Sequence, residues 1–261
     1  MTQKVVIARD ERFSPNSVER DRAIAKAVAW RLQAPVVNEN EALGLTSECA
    51  LVLTMGRSKP LLSHLKRLED SGVVVLNPAS GIERCRRSTL MSMMAENGIP
   101  QPSTEGADGY WLKSDGDAQN SNDVVFCADA VQLHEAICDM ERRGVTQYVV
   151  QAHVDGDLVK FYGVDGTGFF HTCYPTDDGI SKFGDERRNG PAHHYDYSRD
   201  LLQECAEKIS KLTRVPIYGG DAIVRADGSF VIIDFNDWPS FSRCCNEAAD
   251  AIVKLTEQIL R

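Results

Sequence analysis

Three uninterrupted apolar runs restrict the fold of this chain more than any other feature: Val5-Val6-Ile7-Ala8, Cys49-Ala50-Leu51-Val52-Leu53 and Val73-Val74-Val75-Leu76. A strand without polar alternation needs cover on both faces, which is the condition of a parallel sheet lying under helices. The intervening segments supply that cover. Ser17 stands where an N-cap belongs, ahead of a helical run to about Leu32 in which Ala23, Ala27 and Trp30 share a face. Leu61, Leu62, Leu65 and Leu68 recur at helical spacing, and Asn77-Pro78 stops the third strand. Residues 1–80 therefore read as an N-terminal α/β lobe.

The pattern then changes. Arg86 to Asn97 reads as a helix closed by Gly98, with Pro100 and Pro102 barring its return. Tyr110-Trp111-Leu112-Lys113, Val124–Cys127 and Tyr148–Gln151 read as strands. A polar loop over 114–122 and a helix from Val131 to Arg142 connect them, which makes 81–152 a linker helix and a compact α+β lobe. Residues 153–261 carry two hairpins, Leu158–Val164 with Phe169–Cys173 and Gly220–Val224 with Phe230–Asp234, turning at Asp165-Gly166-Thr167-Gly168 and Arg225-Ala226-Asp227-Gly228. Between them lie a long polar segment, 174–197, and a helix capped by Ser198; a last helix begins near Glu247. A structureless segment of that length reads as a functional lid or as disorder.

Charge and cysteine usage narrow the function. With 38 acidic against 29 basic residues the net charge is -9, unlike a general nucleic-acid binder. An anionic small molecule stays open, because local patches decide that question. No apolar run nears the roughly 20 residues that span a bilayer, and no secretory signal opens the chain, so a cytoplasmic protein without membrane contact is expected. Eight cysteines show no CxxC, and Cys244-Cys245 are adjacent, which fits free thiols. The histidines show no zinc spacing.

The last hairpin carries the clearest chemistry. Its turn brings Asp221 opposite Asp234 and Asn236, and the two-residue spacing puts Asp234 and Asn236 on one face. Three hard oxygen donors at one place suit magnesium, which leans on nucleotide phosphates. The order of Asn77-Pro78, Gly98-Ile99-Pro100-Gln101-Pro102, Asp221 and Asp234-Phe235-Asn236 resembles the ATP-grasp superfamily, over about 73 to 241. That resemblance implies a three-lobed architecture of α/β and α+β type, with ATP between the central and C-terminal lobes.

The resemblance also implies roles. Lys113 would reach the α- and β-phosphates, with the loop after it folding over them. Gln151, Ala152, His153 and Val154 would form the hinge that reads adenine, mainly through backbone groups. Asp157 would reach the ribose, or else is a turn acid after Gly156. Lys160, on one strand face with Leu158 and Tyr162, would point at the transferred phosphate or the acceptor. Where many members carry Asp-Lys at the linker helix, this chain has Cys85-Arg86. Arg86 then meets phosphate with fork geometry, and Arg84, Arg86 and Arg87 alternatively form a solvated helix start or an acceptor site.

Segment 174–197, with Lys182, Arg187, Arg188, Asn189, His193 and His194, would close over the acceptor, which makes Arg188 and His193 catalytic candidates. Arg9 and Arg57, following first-lobe strands, are candidates for an anionic part of that acceptor or for helix capping. The implied activity is an ADP-forming, Mg2+-dependent ligase that joins a carboxylate to an amine through an acyl phosphate. The alternatives are a kinase of the inositol phosphate kinase type, against which counts the first lobe's lack of the dense lysine and arginine clusters a polyphosphate would need, and a non-catalytic nucleotide-binding protein.

Overall fold

In a computed structural model describing residues 3–116, 121–177 and 188–260, the three apolar runs become strands of one parallel sheet. The chain opens with β1 (Gln3–Ile7), α1 (Val18–Leu32), β2 (Val36–Val37), α2 (Glu39–Ala42), β3 (Cys49–Thr54), α3 (Lys59–Asp70) and β4 (Val74–Leu76). The strand order is β2-β1-β3-β4. Leu61, Leu62, Leu65 and Leu68 of α3 are buried, as their spacing requires.

The face of α1 differs from the expected one. Ile24, Ala25, Val28, Ala29 and Leu32 face the core, while Ala23 is exposed and Trp30 is 79% exposed. The branched Ile24-Val28-Leu32 stripe buries more apolar area than the alanine-bearing stripe, so it sets the rotation of the helix. β2 and α2, which the sequence reading did not delineate, complete this lobe.

The linker has two helices rather than one, α4 (Ala79–Arg84) and α5 (Arg87–Glu96), broken at Cys85-Arg86. The central lobe is a three-stranded antiparallel sheet of β5 (Tyr110–Ser114), β6 (Val124–Cys127) and β7 (Tyr148–Ala152), ordered β6-β5-β7, with α6 (Ala130–Arg142) against it. The third lobe contains β8 (Asp157–Val164), β9 (Phe169–Cys173), α7 (Arg199–Thr213), β10 (Ile217–Val224), β11 (Phe230–Asp237) and α8 (Cys245–Ile259). Its antiparallel sheet runs β11-β10-β8-β9.

First and third lobes share a core. Ile24, Val28 and Leu53 pack in one buried cluster with Ile217, Trp238, Phe241 and Ile252. The seam is also polar: buried Asn77 donates from Nδ2 to the Ile217 carbonyl (2.8 Å), and its Oδ1 accepts the Ile217 N–H (3.0 Å). One side chain thereby satisfies both backbone groups of a buried strand residue. All eight cysteines are free thiols. Among the described residues no helix is long and apolar enough to cross a membrane.

Candidate functional site

The two hairpins of the third lobe place their polar residues in a row across neighbouring strands. Lys160 on β8 is in register with Asp221 on β10, and Asp221 is in register with Asp234 on β11. Lys160 Nζ lies 3.1 Å from Asp221 Oδ1, and Asn236 Nδ2 donates to Asp234 Oδ2 at 3.2 Å. Strand alternation sends Leu158, Lys160 and Tyr162, then Gly219, Asp221 and Ile223, to the face that lines a cleft of about 1490 Å³. Asp234 and Asn236 line it as well. Both hairpin strands extend past these acids, so the acids sit along the strands and not at their ends, as had been expected. A Cβ on Gly220 would lie 2.3 Å from the Asp234 carbonyl and 2.4 Å from the Phe161 ring, so only glycine lets β10 approach β11 this closely.

The central lobe supplies the opposite wall with Trp111, Lys113, Val124 and Gln151–Val154. Lys113 Nζ donates to the Ile233 carbonyl at 3.1 Å, joining the two walls beside Asp234. Burial pushes the Lys113 ammonium down to about 8, against the pull of Asp234. Burial also pushes the Asp234 carboxyl up, but Arg87, Lys113, Asn236 and Lys160 outweigh it and hold the group below its ordinary value. Asp234 is therefore ionised at neutral pH. Together with Asp221 and Asn236 it offers hard oxygen donors that fit Mg2+ completed by water and phosphate. Among the described residues no cluster of three or more Asp, Glu, His or Cys competes for a cation.

Within the linker, Arg87 reaches the centre. Its Nη1 donates to the Ser114 carbonyl (2.6 Å) and the Gly116 carbonyl (2.7 Å), while Asp115 accepts the Ser88 N–H (2.7 Å). This reciprocal clasp fastens the start of α5 to the strand end that follows Lys113. Arg86 lines the same cleft from the N-cap of α5, is exposed, and its side chain makes no hydrogen bond among the described residues. Cys85 also lines the cleft, where burial pushes its thiol far above the ordinary range and leaves it un-ionised.

Backbone groups of the hinge are partly engaged. Ala152 N–H donates to Ser103 and His153 N–H to Gly109, whereas Val154 N–H donates to no protein acceptor among the described residues. The His153 ring accepts the Trp111 indole N–H on Nδ1 (3.1 Å) and faces Asp155 with Nε2 (3.1 Å), so its proton sits on Nε2. His153 thus orients Trp111, a wall of the cleft.

Several candidate residues are engaged by groups of the protein itself. Asp157 is buried, and its carboxylate accepts the His193 N–H (2.7 Å) and the Tyr195 N–H (2.9 Å), so it anchors residues 193–195 and is not directed at a ribose. Those two bonds hold the carboxyl below its ordinary value despite burial, which pushes it up. His193 is held there, and the Arg188 guanidinium lies 3.5 Å from the Phe126 ring centre and 5.9 Å from that of Trp111, a wall of the cleft. Asn189 ties the same stretch to the Val154 and Gly156 carbonyls (3.0 and 2.8 Å). Arg9 and Arg57 are engaged structurally: Arg9 donates to the Trp238 carbonyl (2.6 Å), and Arg57 pairs with buried Asp237 (2.6 Å). Lys182 and Arg187, like residues 117–120 of the polar loop after Lys113, lie outside the described residues.

Asp157→Ala should leave the His193 and Tyr195 N–H donors without their carboxylate acceptor and lower stability by about 1 kcal/mol. Urea denaturation and hydrogen exchange at the His193 and Tyr195 amides measure this. Wild-type protection at both amides would remove the anchor.

No protein-family model matches the chain, and no curated protein matches it in sequence. Solved structures match along its whole length. D-alanyl-alanine synthetase A from Vibrio cholerae superposes with a TM-score of 0.69 at 12% identity, covering 100% of both chains. A RimK-domain ATP-grasp protein from Sphaerobacter thermophilus gives 0.66 at 17% identity, covering 97% of this chain and 98% of its own. The ATP-grasp ligase PsnB, solved with a minimal precursor, Mg and ADP, gives 0.61 at 14% identity, covering 98% and 99%.

Proposed function

We propose that this chain, which has the ATP-grasp fold, uses MgATP to phosphorylate an acceptor carboxylate and passes the acyl group to an amine, releasing ADP and phosphate. One observation carries the reading: Lys113, Arg87 and Lys160 converge on Asp221, Asp234 and Asn236 in a cleft whose cysteine is held un-ionised. Such a site can position and neutralise phosphoryl groups without its cysteine serving as a nucleophile. The solved relatives named as ligases agree with it, and PsnB was captured with Mg and ADP.

In this reading adenine lies between Trp111 and Val124 on one wall and Leu158 and Ile223 on the other, and Val154 N–H donates to a ring nitrogen. Lys113 and Arg87 hold the phosphate chain, and Arg86 offers a further fork to it. Asp221, Asp234 and Asn236 would hold Mg2+, which when bound would supply positive charge against the phosphates. Lys160, on the cleft face beside Asp221, would face the transferred phosphoryl group. The acceptor is an anionic small molecule, and the protein works in the cytoplasm.

A kinase that stops after phosphoryl transfer is the second reading. It is favoured by Arg12, Arg20 and Lys59, which bring first-lobe cations into the cleft although the sequence shows no dense cluster of them. An ADP-release screen with amino acids, dipeptides and inositol phosphates, followed by product analysis, separates the two. Free phosphate with a new amide supports the ligase, a phosphorylated acceptor without free phosphate supports the kinase, and no turnover with any acceptor removes both.

The lysine also sets a pH dependence. Lys113 titrates near 8 in the folded protein, against an ordinary 10.5. Burying the charged form costs stability below about 8, and that cost is relieved as pH rises toward 10.5, because the unfolded chain then binds more protons. Phosphate binding runs the other way, since it needs the charged form. MgATP affinity should fall above pH 8 by up to about tenfold per unit, and Lys113→Arg, charged throughout, should flatten the profile. Calorimetry from pH 7 to 9.5 tests this; a flat wild-type profile contradicts it.

A further inference from the structure

The first-lobe sheet has a switch point. From β1 the chain crosses through α1 to β2 on one side, and from β3 it crosses through α3 to β4 on the other, giving the order β2-β1-β3-β4. Open α/β sheets bind ligands in the crevice at the carboxyl ends of the strands flanking such a point. Here Arg9 and Arg57, close behind β1 and β3, donate to the Trp238 and Asp237 carbonyls and so seal the base of the crevice against the third lobe. Arg20 from α1 and Lys59 from α3 line the cleft beyond that base.

Neither of these two pairs with a carboxylate among the described residues; Arg20 gives a single bond, to the Asn16 carbonyl (2.8 Å). Elsewhere the acidic surplus supplies partners: Arg22 pairs with Glu19, Lys66 with Glu83, and Arg31 with Asp250. In a chain of net charge -9, ten Lys and Arg side chains against five Asp and Glu among the described residues line this one cleft. Low-dielectric walls focus such a field on an anion inside. The cleft, about 1490 Å³, also exceeds the roughly 300–1,000 Å³ that suits one drug-sized ligand. Nucleotide and a sizeable acceptor fit together.

We infer that the acceptor carries a second anionic group, remote from its reacting carboxylate, and that Arg20 and Lys59 bind that group at the switch point. This rests on reading the cleft as a MgATP and acceptor site. The shared chemistry is an oxyanion, either carboxylate or phosphate. Arg20 offers a planar fork and Lys59 a point charge, a combination suited to both.

The test is calorimetry on the full chain saturated with Mg2+ and AMPPNP, using probe pairs that differ in the distal charge. Glutamate against glutamine, and Glu-Glu against Gln-Gln, read a carboxylate at two reaches; O-phosphoserine against serine reads a phosphate. At least one anionic probe should bind roughly ten- to a hundredfold tighter than its neutral partner. Arg20→Gln with Lys59→Gln should erase that preference without weakening AMPPNP, and Arg20→Lys with Lys59→Arg should restore most of it. Absence of any preference in the wild type, or its survival in the Gln double variant, overturns the inference. Failure of AMPPNP itself to bind would instead overturn the nucleotide reading, and the same probe pairs would then be read on nucleotide-free protein.

Discussion

Asp234→Asn should reduce ATP turnover by about a thousandfold or more, because one of the oxygen donors proposed to hold Mg2+ would lose its charge. The fold should survive. The side chain keeps its shape and its bond to Asn236, and the neighbouring cations can respond. Lys113 loses the carboxylate that opposes its downward shift, so it sheds its proton more readily and relieves the uncompensated charge. Circular dichroism and urea denaturation check the fold, and ADP release under saturating magnesium checks turnover. Wild-type turnover in the folded variant would remove Asp234 from the metal site.

Lys113→Met should weaken ATP by roughly ten- to a hundredfold while changing adenosine affinity little, since a charge-assisted bond to phosphate is lost and the apolar stem is kept. Methionine also removes a buried ammonium whose burial is costly, so stability below pH 8 should rise slightly. Calorimetry with ATP, ADP and adenosine separates phosphate from base recognition. Equal weakening for all three ligands would mean that Lys113 shapes the cleft instead of gripping phosphate.

The residues of this centre were legible in the sequence for a definite reason. Hairpin turns at Asp165–Gly168 and Arg225–Gly228 fix strand direction, and the two-residue alternation then fixes which side chains share a face. Asp221, Asp234 and Asn236 follow from those two facts; Lys160 reaches them through the pairing of β8 with β10, which joins two separate hairpins and which the sequence indicated only through the resemblance. Helices are less forgiving. Each residue turns the helix by about 100°, so a start at Arg87 and not Arg86 changes which arginine reaches Lys113 and Asp234. On α1 two apolar stripes compete, and the Ile24-Val28-Leu32 stripe prevails over the one bearing Trp30. The helix α4 has too short a run to show periodicity, and β2 is two residues long.

Anchors between distant segments leave no local trace. Asp157 looks like a turn acid until the amides of His193 and Tyr195 are seen on its two oxygens. Arg57 looks like a ligand for an acceptor until Asp237, 180 residues on, neutralises it. Arg20 and Lys59 show the converse, as ordinary surface residues in sequence that the crossover topology carries to the rim of one crevice.

The central claim is that a carboxylate oxygen of the acceptor attacks the γ-phosphate of ATP in the cleft between Lys113 and Asp234. It is tested most directly by incubating the protein with MgATP, an amine mixture and acceptor carboxylates labelled with 18O, and following phosphorus by NMR. The expected result is ADP together with inorganic phosphate carrying one acceptor-derived 18O, lost in Asp234→Asn. AMP with pyrophosphate, or phosphate free of the label while the acceptor is consumed, would contradict it.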